Sequence, residues 1–225
     1  KAVNIDYAPV TINRYINVMK KLQKAIPDFY GKEDITFHEL NSDFIATFDL
    51  FLKTEAGLCR NTIVRYMKCF KRITNMALAK EWMRKDPFYG YKMAQDETDP
   101  VFLTYPELKS IMEKEFTIPR LALVRDIFVF AAFTGLAFAD VSTLTKDNLV
   151  QDNNGDWWIR KGRVKLERRH RASSVCNIPL LPVPLAILKK YEEHPICRKK
   201  SLCLPVICNQ RMNSYLKEIA DLCNI

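Results

Sequence analysis

Only six glycines are spread over 225 residues, and nowhere do the roughly 18 consecutive apolar residues of a membrane-spanning helix occur. The longest apolar run, IFVFAAFTGLAFA over 127–139, is broken by Gly135. A disordered chain and a membrane-spanning helix are therefore excluded, and no signal-peptide pattern is visible. Cysteine is present but not in a useful pattern. Cys59, Cys69, Cys176, Cys197, Cys203, Cys208 and Cys223 are odd in number, none forms a Cys-x-x-Cys pair, and a chain this long needs no staples. They read as reduced cytosolic thiols. His194, Cys197, Cys203 and Cys208 have irregular spacing for zinc, so no metal is expected. There is no internal repeat and no low-complexity segment. The chain opens on Lys1 rather than Met, and residues upstream of it are expected.

What remains is an ordinary folding composition, 48% apolar and 27% charged, in a length that allows one large core or two modest ones. Formal net charge is +9, which favours an anionic partner. Residues 1–99 hold 16 Lys/Arg against 13 Asp/Glu, whereas the single segment RKGRVKLERRHR, 160–171, holds seven basic residues and one acid. The excess is local.

Hydrophobic spacing predicts a first helix in APVTINRYINVMKKLQKAI, capped by Thr11 and ended by Pro27, with Ile12, Tyr15, Ile16, Met19, Leu22 and Ile26 as its buried stripe. A second is predicted in HELNSDFIATFDLFLKTEA, burying Phe44, Ile45, Phe48, Phe51 and Leu52 and closing at Gly57. The third, NTIVRYMKCFKRITNMALAKEW, is capped by Asn61 or Thr62 and buries Ile63, Tyr66, Met67, Phe70, Ile73 and Ala77. On another of its faces Arg65, Lys68 and Arg72 recur at helical spacing with Lys71 beside them. That face is either solvated or a row of phosphate contacts. Periodicity lapses through RKDPFYGYKMAQDETDPVFL, the best linker candidate.

Beyond it, TYPELKSIMEKEF predicts a helix capped by Thr104, and PRLALVRDIFVFAAFTG, apolar on most sides, predicts a central helix. AFADVSTLT predicts a short one. NGDWWIRKGRVK and SSVCNIPL predict a small antiparallel sheet with the basic segment at or between its strands. VPLAILKKYEE and NQRMNSYLKEIADLCNI return to helix, the last with Met212, Tyr215, Leu216, Ile219 and Leu222 on a face that needs a partner.

The order of these elements, with the strings NTIVRYMKCFKRITNMALAKEW, DPF, TGLAFADVSTLT, WWI, IPLLP and MNSYLKEIADLC, resembles a tyrosine recombinase (phage-type integrase) of the Bacteroides-like mobile-element type. The resemblance implies a mostly α fold. A helical core-binding (SAM-like) DNA-binding domain would span 1–92 and a linker 93–101. A truncated α+β catalytic domain with a small antiparallel sheet would span 102–225. It implies site-specific DNA recombination through a 3′-phosphotyrosyl intermediate, in which fixed cations stabilise the charge on an in-line phosphoryl transfer. No metal or cofactor is implied.

Carried over residue by residue, the resemblance matches Asp140 to an acid that organises the segment after TGL, and places Ala137 where the family has its first catalytic arginine. The hairpin lysine that protonates the leaving oxygen matches Lys165 counting from WWI and Arg171 counting back from IPL. Lys165 is the better proton donor, since arginine stays charged. DNA contacts fall on Arg60, Asn61, Thr62, Arg65, Lys68, Lys71 and Arg72, and on Arg163, Arg168 and Arg169. The His-x-x-Arg string and the tyrosine nucleophile are not found, so the chain is expected to be a fragment that binds double-stranded DNA without cleaving it. It is expected to be monomeric alone, to self-associate on DNA as the whole protein, and to be cytoplasmic in a bacterium. The competing readings are a DNA-binding accessory or regulatory protein, and a helical protein-interaction module whose charge is incidental.

Overall fold

The computed structural model describes residues 9–163 and 175–225, and the chain divides into two compact units, Lys1–Pro100 and Val101–Ile225. In the first, three helices enclose one core: α1, Pro9–Tyr30; α2, Ser42–Lys53; and α3, Arg60–Ala79. Helix α1 runs past Pro27, which lies inside it, and stops only at Gly31, whose φ of 60° is left-handed and whose N–H reaches the Pro27 carbonyl at 2.9 Å. Thr11 therefore lies within the helix and Pro27 does not end it. Glycine, free of the Cβ penalty, supplies the stop.

Of the stripe predicted for α1, Ile26 is buried, but Ile16 and Met19 are 37% and 50% exposed. The core instead takes Val18, Ala25 and Ile26, with Leu22 packed against it. Helix α2 buries all five predicted residues, and the Asn41 side chain caps it by accepting from the Phe44 N–H. Phe44, Phe48 and Phe70 stack or meet edge-on, and Phe70 in turn meets Phe88 at 5.6 Å, so aromatic rings tie α2, α3 and the segment after α3 together. Tyr91 closes this side by donating its hydroxyl to Asp49 at 2.7 Å.

The second unit contains α4, Tyr105–Glu113; α5, Pro119–Thr134; α6, Phe138–Ser142; and a 3-10 turn at Lys146–Asn148. Then come β1, Leu149–Gln151; β2, Trp157–Gly162; β3, Val175–Pro179; and three more helices: α7, Pro182–Tyr191; α8, Pro195–Lys200; and α9, Asn209–Leu222. Helix α5 is central, packing against α4, α7 and α9. The strands form one antiparallel sheet in the order β1-β2-β3, with Leu149 opposite Ile159 and Ile159 opposite Ile178. Asp152 sets the β1–β2 turn by accepting from the Asn154 and Asp156 amides and from Trp158 Nε1. Helix α9 finds its partner in α5, where Arg120 makes a bidentate pair with Glu218 and stacks over Tyr215 at 4.4 Å. The predicted mostly helical class with a small antiparallel sheet is the class observed.

Candidate nucleic-acid interface

The N-terminal half of α1 and the first two thirds of α3 border a groove of about 550 Å³. Arg14, Tyr15 and Val18 line it from α1, and Thr62, Arg65, Tyr66, Lys68, Cys69 and Arg72 from α3. The cause is helical periodicity. Residues 65, 68 and 72 differ by three and four, so the face opposite Ile63, Met67 and Phe70 carries three cations in a row. That row spans roughly 10 Å of helix axis, against one phosphate per about 3.4 Å of each DNA strand. Among the described residues neither Arg14 nor Arg65 has an ion-pair partner. With Arg14, Arg65, Lys68 and Arg72 on its walls, the groove concentrates positive charge that suits an anionic ligand.

The other predicted contacts are distributed differently. Helix α3 begins at Arg60 with Cys59 as its N-cap, so neither Asn61 nor Thr62 caps it. Asn61, the second helical residue, instead pairs its side chain with the backbone of Asp96. Arg60 reaches the Ala94 carbonyl and the Asp96 carboxylate, and Lys68 reaches Gln95 Oε1 at 2.9 Å. Lys71 turns away from the groove toward Asp86 at 3.9 Å and the Phe88 ring at 5.7 Å. Arg14 is the groove cation that spacing on α3 could not reveal, since it comes from another helix.

In the second unit Asp140 is buried at 4% exposure in α6, and Ala137 is the exposed N-cap residue of that helix. Gly135 ends α5 at φ 64°, which produces the chain reversal ahead of Asp140. Lys165, Arg168, Arg169 and Arg171 lie outside the described residues, and Arg163 is exposed at the end of β2. Lys161, part of the same basic segment, donates to the Thr143 carbonyl at 2.9 Å, which fastens β2 to the loop after α6.

Cys59 lies beside the groove, with Sγ 3.2 Å from Thr62 Oγ1. Hydrogen bonds from Thr62, helped by the charge of Arg65, hold its thiol below the usual range, whereas burial pushes Cys203 up to about 12. Since the thiolate is the nucleophile, iodoacetamide at pH 7.5 should modify Cys59 well before Cys203, as read by peptide mass spectrometry. Equal rates would contradict the placement of these two side chains.

Residues 4–93 match the phage integrase SAM-like domain family. No curated protein matches the chain in sequence. Among solved structures, a lambda integrase tetramer bound to a Holliday junction superposes with a TM-score of 0.72 at 13% identity, covering 97% of this chain and 59% of that one. A lambda integrase dimer bound to a COC′ core site gives 0.74 at 13% identity, covering 99% and 74%. The XerH site-specific recombinase bound to its difH substrate gives 0.65 at 16% identity, covering 96% and 64%. At these identities the likeness is one of fold. The chain spans less than two thirds of the length of the lambda integrase tetramer's chain.

Proposed function

We propose that the chain is the DNA-holding part of a tyrosine recombinase, and that the groove between α1 and α3 grips the sugar-phosphate backbone of duplex DNA. The observation that carries this reading is the row Arg65, Lys68 and Arg72 facing Arg14 across a groove, in a segment that matches the integrase SAM-like domain. The solved proteins of this fold named above are bound to a Holliday junction, a core site and difH. Phosphate contacts of this kind position a protein on DNA without reading its sequence.

In the whole-length protein the reaction is site-specific breakage and rejoining through a 3′-phosphotyrosyl link, with Lys165 or Arg171 protonating the leaving oxygen and Asp140 organising the segment after α5. Arg163, Arg168 and Arg169 add phosphate contacts. Self-association of that protein on DNA belongs to the same reading. The present chain binds DNA and does not cleave it. Ala137 favours this, because a methyl group stands at the position where the resemblance implies an arginine, and a methyl group cannot stabilise a pentavalent phosphate. The same residue is the reason to retain an accessory DNA-binding role as the second reading.

The location of the interface is tested at Cys59. Saturating duplex DNA should slow its alkylation about fivefold or more, through occlusion of the α3 N-terminus, while the free protein reacts readily. An unchanged rate at DNA concentrations where binding is complete would place the DNA elsewhere.

A further inference from the structure

The segment that leaves the first unit does not run free. After Tyr91 it folds back along the start of α3, and three consecutive residues engage it. The Ala94 carbonyl accepts from Arg60 Nε at 3.2 Å, Gln95 Oε1 accepts from Lys68 Nζ at 2.9 Å, and Asp96 places its carboxylate 3.3 Å from Arg60 Nη1. Asn61 meets the Asp96 backbone twice, donating to its carbonyl at 3.0 Å and accepting from its N–H at 2.9 Å. The contacts are specific, because an amide side chain that satisfies both polar groups of one residue fixes the register of the segment.

The segment's composition matches its position. From Ala94 to Pro100 it carries Asp96, Glu97 and Asp99 and no basic residue. Its polar groups occupy Arg60, Asn61 and Lys68, three of the groups that a phosphate backbone on α3 would use. Carbonyl and carboxylate oxygens here stand where phosphate oxygens would stand.

We propose that residues 94–99 form an acidic strap that competes with DNA for the N-terminal half of α3, so that duplex binding requires the strap to be displaced. The proposal rests on the DNA reading of the α1/α3 groove. All of the strap contacts are solvent-exposed and each is worth little alone, which makes the strap a competitor that duplex DNA can displace and not a permanent cover.

The test compares the full chain with two variants of equal charge change. One neutralises the strap, Asp96→Asn with Glu97→Gln and Asp99→Asn. The other neutralises three exposed acids near the end of α1, Asp28→Asn with Glu33→Gln and Asp34→Asn; Asp28 lies roughly 15 Å along the helix from Val18. Affinity for a mixed-sequence duplex is measured at about 50 mM salt, where charge effects are largest. The strap variant should bind about tenfold more tightly than the parent and the control variant less than about twofold more tightly. In parallel, the Asp96 amide, bonded to Asn61 in the free chain, should exchange faster with solvent deuterium once DNA is bound. Equal tightening in both variants would reduce the effect to overall charge and overturn the strap, as would no tightening in either or a more slowly exchanging Asp96 amide in the complex. If none of the three proteins binds duplex DNA at this salt, the DNA reading itself falls.

Discussion

Replacing Arg65 and Arg72 together by glutamate should weaken duplex binding about 60-fold at roughly 0.1 M salt. Both side chains line the groove, three to four residues from Lys68 on the same helical face. Each phosphate contact contributes about 0.9 to the slope of log K against log salt, so losing two lowers the slope by about 1.8, which at this salt is close to two orders of magnitude. Charge reversal adds repulsion, so the figure is a lower bound. Neither substitution removes a core group, since both residues are exposed, and the melting temperature should stay within a few degrees of the parent. Lys20→Glu with Lys24→Glu makes the same charge change at exposed positions of α1 that do not line the groove and should weaken binding only a few-fold, through the long-range field. A loss under about twofold in the groove variant, or equal losses in the two variants, would favour a protein-interaction module whose charge is incidental.

Truncating Asp126 to alanine should destabilise the second unit by about 3 kcal/mol. This carboxylate on α5 is 6% exposed and accepts three hydrogen bonds, from Arg125 Nε at 2.8 Å, Lys190 Nζ at 2.7 Å and Tyr191 Oη at 2.8 Å. It joins α5 to α7. Most of the cost comes from Tyr191, itself buried, whose hydroxyl would lose its acceptor, and from Arg125; the Lys190 side chain is 52% exposed and can turn to water. Asp126→Asn keeps an acceptor oxygen and should cost about half as much. Urea unfolding followed through the tryptophans of β2 reads the difference, and a change below about 1 kcal/mol would mean that the cluster is dispensable.

The same cluster gives a pH dependence. Burial first, and then the hydrogen bond and charge of Asp126, raise the Tyr191 phenol above its usual value. The neutral phenol is therefore favoured by folding. Its contribution is fully present below the ordinary tyrosine pKa near 10 and is lost as pH rises through the raised folded value. Alkaline unfolding of the second unit should begin at lower pH in Asp126→Ala than in the parent.

How much of this was legible in the sequence differs from element to element. The buried face of helix α2 was readable because its five apolar residues crowd one arc, but its ends were not: it runs from Ser42 to Lys53 and stops at Thr54, short of Gly57. The buried face of helix α1 was not readable. It carries two overlapping apolar arcs, Val18–Leu22–Ala25–Ile26 and Ile12–Ile16–Met19, and only the packing of α2 and α3 against it decides which is buried. The basic row on α3 followed from spacing alone, but its partner Arg14 depends on how α1 crosses α3. The return of residues 94–96 onto Arg60, Asn61 and Lys68 had no periodic signal, since it is made by single side chains and backbone groups in a stretch without regular structure. Asp126 was hidden because a carboxylate within an apolar helix looks like any other polar residue until its donors on α7 are in place. Strand β1 has only three residues, too few for alternation to show.

The central claim, that the groove between α1 and α3 holds duplex DNA, is tested most directly by equilibrium binding of a mixed-sequence duplex of about 30 base pairs across roughly 50 to 300 mM salt. With about six phosphates neutralised, log K should fall linearly against log salt with a slope of about −5. Absence of binding at the low end, or binding that does not change with salt, would contradict it.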